Sequence, residues 1–79
     1  MFGKKDLQNT VYRALLELDG SATIVEVASH IYENNKNEIQ GSKIEFTWQY
    51  DMRWQATALR KKGLIRDSHS SPRGTWELI

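Results

Sequence analysis

Hydrogen-bonding and cationic side chains recur on one side of the segment from residue 47 to residue 62. At about 100° per residue, that side carries six of them: Gln49, Tyr50, Arg53, Thr57, Arg60 and Lys61. An arginine can fork to guanine, a glutamine to adenine, and a threonine can contact a thymine methyl, while a tyrosine can bond a phosphate. We interpret these six side chains as candidate DNA contacts.

The other side of the same segment is apolar and predicts a helix that packs on a core. Its members are Trp48, Met52, Gln55, Ala56 and Leu59. Trp54 projects between the two sides, and its cover could be another part of the chain, a partner protein or nucleic acid. A surface helix that binds nothing has the same two-sided pattern, and the cations at its end also suit a helix C-terminus.

The residues after this helix predict a β-hairpin. Strand candidates at 64–68 and 75–79 flank Ser71-Pro72-Arg73-Gly74, which fits a type I turn with proline second and glycine fourth. Ser71 and Arg73 would then lie near the hairpin tip, where contact with a phosphate or the minor groove is natural. We add both residues to the candidate DNA contacts.

Two further helices are predicted in the first half, over residues 6–19 and 23–33. Asp6 favours the start of the first helix, and Thr23 with Glu26 forms a capping box for the second. The Ser21-Ala22 link between them could add a small edge strand. Residues 34–45 are polar and are predicted to form a loop.

These elements predict one α+β domain over residues 1–79. Two strands alone are unstable in water, so the hairpin needs helical cover. Three helices (the third at 47–62) packed on a small antiparallel β-hairpin wing give the winged helix-turn-helix layout. In that layout the third helix lies in the major groove of DNA.

Composition excludes several other classes. The chain has 79 residues, no cysteine and two histidines far apart, so neither disulfides nor a metal site is expected. No paired carboxylates, nucleophile–base set or glycine-rich phosphate loop is present, and we expect neither an enzyme nor a cofactor. No membrane span or signal peptide is visible, so we expect a cytoplasmic protein.

The net charge of +1 is unevenly distributed along the chain. Residues 1–40 contain four basic and six acidic residues, whereas residues 41–79 contain seven basic and four acidic ones. The second half is therefore the expected face for a polyanion. The small total argues against strong, non-specific DNA binding.

A motif in the C-terminal half is more specific to one protein family than the general patterns above. Trp54, the step Lys61-Lys62-Gly63-Leu64-Ile65 and the stretch from Ser70 to Leu78 resemble the N-terminal winged-helix domain of Mrr-type restriction endonucleases, which act on modified DNA. The resemblance covers the whole chain in layout and about residues 54–78 in motif. It implies a module that positions a nuclease on double-stranded DNA.

Residue by residue, the resemblance implies that Arg73 and Gly74 form the wing turn. Trp76 and Leu78 would anchor the wing in the core, and Leu59 and Gly63 would end the recognition helix. Members of that family continue into a nuclease domain, whereas this sequence stops at Ile79 and has no Glu-x-Lys or Gln-x-Lys pair. We expect either a domain excised from a longer protein or a separate adaptor that itself cleaves nothing.

Two other interpretations remain open at this point. Many winged helices bind proteins or dimerise without touching DNA, and Trp54, Tyr50 and Tyr32 could anchor such a contact. Alternatively, Tyr50 and Trp54 could recognise a modified base, although core and wing packing explains the three tryptophans more simply.

Overall fold

The computed structural model describes residues 2–67 and 69–79. Over these residues the fold is α+β, with three helices and a two-stranded antiparallel sheet in the winged-helix layout that the sequence predicts. The elements are α1 (Lys4–Glu17), β1 (Ser21–Thr23), α2 (Ile24–Ile39), α3 (Trp48–Lys61) and β2 (Thr75–Glu77).

Helix α1 buries a stripe made of Leu7, Val11, Ala14 and Leu15. It begins two residues before the predicted start because the Asp6 carboxylate accepts a hydrogen bond from the Gly3 N–H at 2.9 Å. At its other end the Gly20 N–H donates to the Leu15 carbonyl at 2.7 Å. Gly20 has a φ of +87°, a left-handed conformation that closes the helix at low cost in glycine.

Helix α2 starts on the predicted capping box. The Glu26 N–H donates to the Thr23 hydroxyl at 3.1 Å, and the Thr23 N–H donates to the Glu26 carboxylate at 2.8 Å. The helix continues to Ile39, so the predicted end at residue 33 is wrong. Ile39 is 1% exposed, and burying this side chain offsets the weak helix propensity of the asparagines before it.

The extension of α2 is kinked. Asn35 has non-helical angles (φ −128°, ψ 17°), and its side-chain amide donates to the Ile31 carbonyl at 3.2 Å. That bond satisfies a carbonyl near the kink. The loop predicted at 34–45 therefore shrinks to residues 40–47, and Ile44 fastens this loop to the core at 4% exposure.

Helix α3 closely matches the predicted span. Thr47 occupies the N-cap position, but its hydroxyl does not cap the helix and instead bonds Asp51. The helix ends before Gly63, and the Leu64 N–H donates to the Leu59 carbonyl at 3.0 Å. The face toward α1 buries Trp48, Met52, Ala56 and Leu59, as predicted.

The sheet differs from the predicted hairpin. β2 pairs with β1, with Ala22 opposite Trp76, so the short link after α1 is a true strand. The strand predicted at 64–68 is reduced to one bridge between Ile65 and Leu78, and Ser68 lies outside the described residues. The Asp67 carboxylate accepts the N–H groups of His69 and Ser70 at 2.9 and 3.0 Å, which turns the chain away from a strand.

The wing turn is also shifted by one residue. The Thr75 N–H donates to the Pro72 carbonyl at 3.0 Å, so proline is the first residue of the turn and not the second. Gly74 then occupies the third position with a φ of +75°, which is characteristic of a type II turn and not of the predicted type I turn. Arg73 stays at the turn, as the sequence indicates.

The core lies between α1 and α3 and is closed by α2 and the sheet. Its partners from outside the three helices are Ala22, Ile44, Ile65 and Trp76, all buried. Within residues 2–67 and 69–79, no helix is both long enough and apolar enough to cross a membrane.

Candidate nucleic-acid interface

The outward face of α3 carries the predicted contact residues of that helix. Gln49, Tyr50, Arg53 and Lys61 are exposed, and Thr57 and Arg60 are partly exposed. They lie opposite the buried side chains that pack on α1. The tertiary structure therefore brings these six residues onto one accessible helix face.

Asp51, which the sequence analysis did not single out, sets the charge of this face. It is the single acidic residue of α3, and it is 5% exposed. Its carboxylate accepts the Thr47 hydroxyl at 2.7 Å and lies 4.0 Å from the Lys4 ammonium. The spacing of Asp51 from Trp48 and Gln55, three and four residues, is the signal that places it on the packing side.

Among the described residues no carboxylate lies within ion-pair distance of Arg53 or Arg73, although Glu33 of α2 lines the same groove as Arg53. Over the described ranges, an ion pair joins Lys4 to Asp51 and a hydrogen bond of 2.7 Å joins the His30 ring to Glu17, and neither contact involves Arg53 or Arg73. Hydrogen-bonding capacity and positive charge on these two side chains are therefore available to a ligand.

Arg60 is more constrained than the sequence indicates. Its Nε–H donates to the Arg66 carbonyl at 3.0 Å and so joins the end of α3 to the segment that bridges β2. This bond uses one of the five N–H donors of the guanidinium group. Arg60 consequently positions the wing as well as contributing charge.

A polar contact fixes α3 against α1 on the opposite side. Gln8 donates to the Gln55 side-chain oxygen at 3.0 Å and accepts from the Lys62 ammonium at 2.6 Å. Together with the buried stripe, these bonds hold α3 against α1 and leave its outward face accessible.

Trp54 is covered by neither the wing nor the loop. Its side chain is 58% exposed and that of Tyr50 is 64% exposed. Their ring centroids are 6.2 Å apart at an interplanar angle of 67°, an edge-to-face pair. Trp48 and Trp76 are buried, as the sequence predicts.

The wing presents only part of its predicted contacts. Arg73 is exposed at the turn, whereas the Ser71 hydroxyl is buried and has no hydrogen-bond partner among the described residues. A DNA contact from Ser71 therefore needs a local shift of the loop.

The pKa of Asp67 is lowered, chiefly by the hydrogen bond from the His69 N–H. The Asp67 carboxylate therefore accepts the N–H groups at the start of this loop as an anion.

In comparisons with known proteins, no family model, no curated protein and no solved structure matches the chain.

Proposed function

We propose that this chain is a DNA-binding winged-helix module, with α3 in the major groove and the wing turn at Arg73 on the backbone. One observation carries the proposal. The only acidic side chain of α3 is buried, so the outward face combines cations and hydrogen-bonding groups without a carboxylate. A polyanion is the ligand that such a face suits.

The side chains have distinct roles in this proposal. Arg53 and Gln49 read base edges, because their planar ends can form two parallel hydrogen bonds to guanine and adenine. Arg73 and Lys61 bond phosphates and set the register without reading sequence. Because the net charge is only +1, non-specific binding is expected to be weak at physiological salt.

The biological setting of the proposal rests on the motif resemblance. A wing and helix end like those of Mrr-type restriction endonucleases support a module that positions a nuclease, fused or associated, on double-stranded and modified DNA in the cytoplasm. The chain itself contributes binding and no cleavage.

Salt-dependent titration with short duplex DNA tests the proposal. We expect Arg53→Ala together with Arg73→Ala to weaken binding at least about tenfold, because each lost contact costs on the order of 1 kcal/mol or more. The affinity of the unsubstituted protein should also fall steeply between roughly 50 and 200 mM salt. Fluorescence anisotropy measures both effects.

Arg13→Ala is the matched control for this experiment, since Arg13 is an exposed arginine on α1, away from the α3 face. It should leave the affinity unchanged. NMR titration adds a map, in which the amides of α3 and the wing turn are expected to shift together. Absence of binding at low salt to plain and methylated duplexes alike would refute the proposal.

A second candidate function is protein interaction or self-association. Phe46 is 93% exposed and Val25 is 75% exposed, and an apolar groove between α2 and α3 is lined by Val25, Tyr32, Trp48 and Met52 among others. Sedimentation velocity over a range of concentrations distinguishes this function. A stable dimer with no DNA affinity would favour it over the first.

A further inference from the structure

Tyr50 and Trp54 leave large aromatic surfaces in water on the middle of α3. They lie one helical turn apart, and the edge-to-face geometry keeps their ring faces from stacking on each other. Neither ring contributes to the buried core, which already contains Trp48 and Trp76. The pair therefore has no packing role that explains its size.

The surroundings of the pair indicate what could cover it. Tyr50, Arg53, Trp54 and Thr57 line one shallow depression. Arg53 is exposed there and forms no ion pair within the described part of the chain, and Asp51 is turned inward. A ring face beside an unpaired guanidinium suits a ligand that is flat, aromatic and attached to an anion.

A nucleotide has this combination, since its base can stack on an aromatic ring while its phosphate bonds a cation. At such a nucleotide Arg53 would bond the phosphate, in place of the base edge that it reads in a duplex. In a fully paired duplex the base faces are hidden in the stack, and the major groove offers only base edges. Large rings read such edges poorly. The pair is better suited to a base that has left the stack.

We propose that Tyr50 and Trp54 capture an unpaired DNA base, so that this face prefers DNA containing unpaired bases to a fully paired duplex of the same length. The inference rests on the proposed function and specifies which kind of DNA is bound. The positive charge of Arg53 beside the rings favours a nucleic acid as the ligand that covers them.

A short duplex and the same duplex with a central mismatch bubble provide the test. Both DNAs carry the same number of phosphates, so the charge contribution to binding is similar and a difference in affinity reports the unpaired bases. Trp48 and Trp76 are 6% and 5% exposed, so quenching of tryptophan fluorescence on binding reports Trp54. We expect the bubble to bind more tightly and to quench this emission.

Two substitutions of the exposed tryptophan separate stacking from other effects. Trp54→Ala should weaken binding of the bubble by roughly 5- to 150-fold, the range found for losing one base–aromatic stack, and leave duplex binding unchanged. Trp54→Phe should retain most of the affinity and lose the quenching. Leu16→Ala, which removes an exposed apolar side chain from α1, is the matched control and should change neither.

The outcomes distinguish this inference from the proposed function. Equal, salt-dependent binding of duplex and bubble would overturn base capture and leave duplex binding standing. Equal weakening of both DNAs by Trp54→Ala would also overturn base capture, as would a dimer that the same substitution abolishes. Failure to bind either DNA would overturn both proposals.

Discussion

At the scale of single residues, Asp51 decides the character of the α3 surface. An exposed aspartate beside Arg53 would repel phosphate and partly neutralise the cation. In the fold this carboxylate is buried and accepts the Thr47 hydroxyl. Burial of a charged group is costly unless it is hydrogen-bonded, so the bond to Thr47 and the nearby Lys4 ammonium offset part of that cost.

Asp51→Ala is expected to lower the free energy of unfolding by about 1–3 kcal/mol, because it removes a charge-assisted hydrogen bond from a buried position. Asp51→Asn should cost less, since the amide oxygen can still accept from Thr47. Urea denaturation measures both values. An alanine variant as stable as the unsubstituted protein would contradict a stabilising role for this carboxylate.

At the scale of elements, the capping box of α2 orients the helix that leads to α3. The bond from the Thr23 N–H lowers the pKa of Glu26 below its ordinary value near 4.5. Because the folded-state pKa is depressed, the contribution of Glu26 to stability is present above that ordinary value and is lost as the pH falls through the folded-state pKa.

Thr23→Ala is expected to lower the free energy of unfolding by about 1 kcal/mol at neutral pH, the usual cost of losing an N-cap. The pH-dependent part of the box belongs to the Glu26 carboxylate, which still accepts the Thr23 N–H in this variant. Glu26→Gln should therefore destabilise the protein at neutral pH, and that difference should shrink as the pH falls through the folded-state pKa of Glu26, which lies below 4.5. Urea unfolding at two pH values tests this. Ser29→Ala, an exposed position inside α2, is the control and should not destabilise the protein.

At the scale of the whole molecule, the short sheet closes a small core. Trp76 is 5% exposed in β2 and lies opposite Ala22 of β1. The Leu78 N–H also donates to the Gly20 carbonyl at 2.7 Å and so connects the C-terminal strand to the end of α1. The N-terminal and C-terminal parts of the chain therefore support each other through this strand pair.

Trp76→Ala should lower the free energy of unfolding by about 3–5 kcal/mol, as expected for a buried tryptophan. A domain of 79 residues has a total stability of only about 4–12 kcal/mol, so this loss is a large fraction of the total and the variant should melt at a markedly lower temperature. Thermal unfolding followed by circular dichroism measures the loss. The melting temperature of Trp76→Phe should lie much closer to that of the unsubstituted protein. An alanine variant that melts at the same temperature as the unsubstituted protein would contradict the role of Trp76 in closing the core.

The three helices, their packing faces and most of the outward face of α3 could be predicted from the residue pattern alone. These features depend on side-chain period and on caps such as Thr23 with Glu26, which act within a few residues of one another. The spacing of the α3 contact residues on one helix face was predictable for the same reason.

Where α2 ends and how the strands pair follow from tertiary contacts alone. Ile39 extends α2 because it reaches the core, and β2 pairs with β1 across more than fifty residues of chain. The exposure of Trp54 likewise depends on what packs against α3. Contacts between distant segments set these features, and local sequence patterns do not encode them.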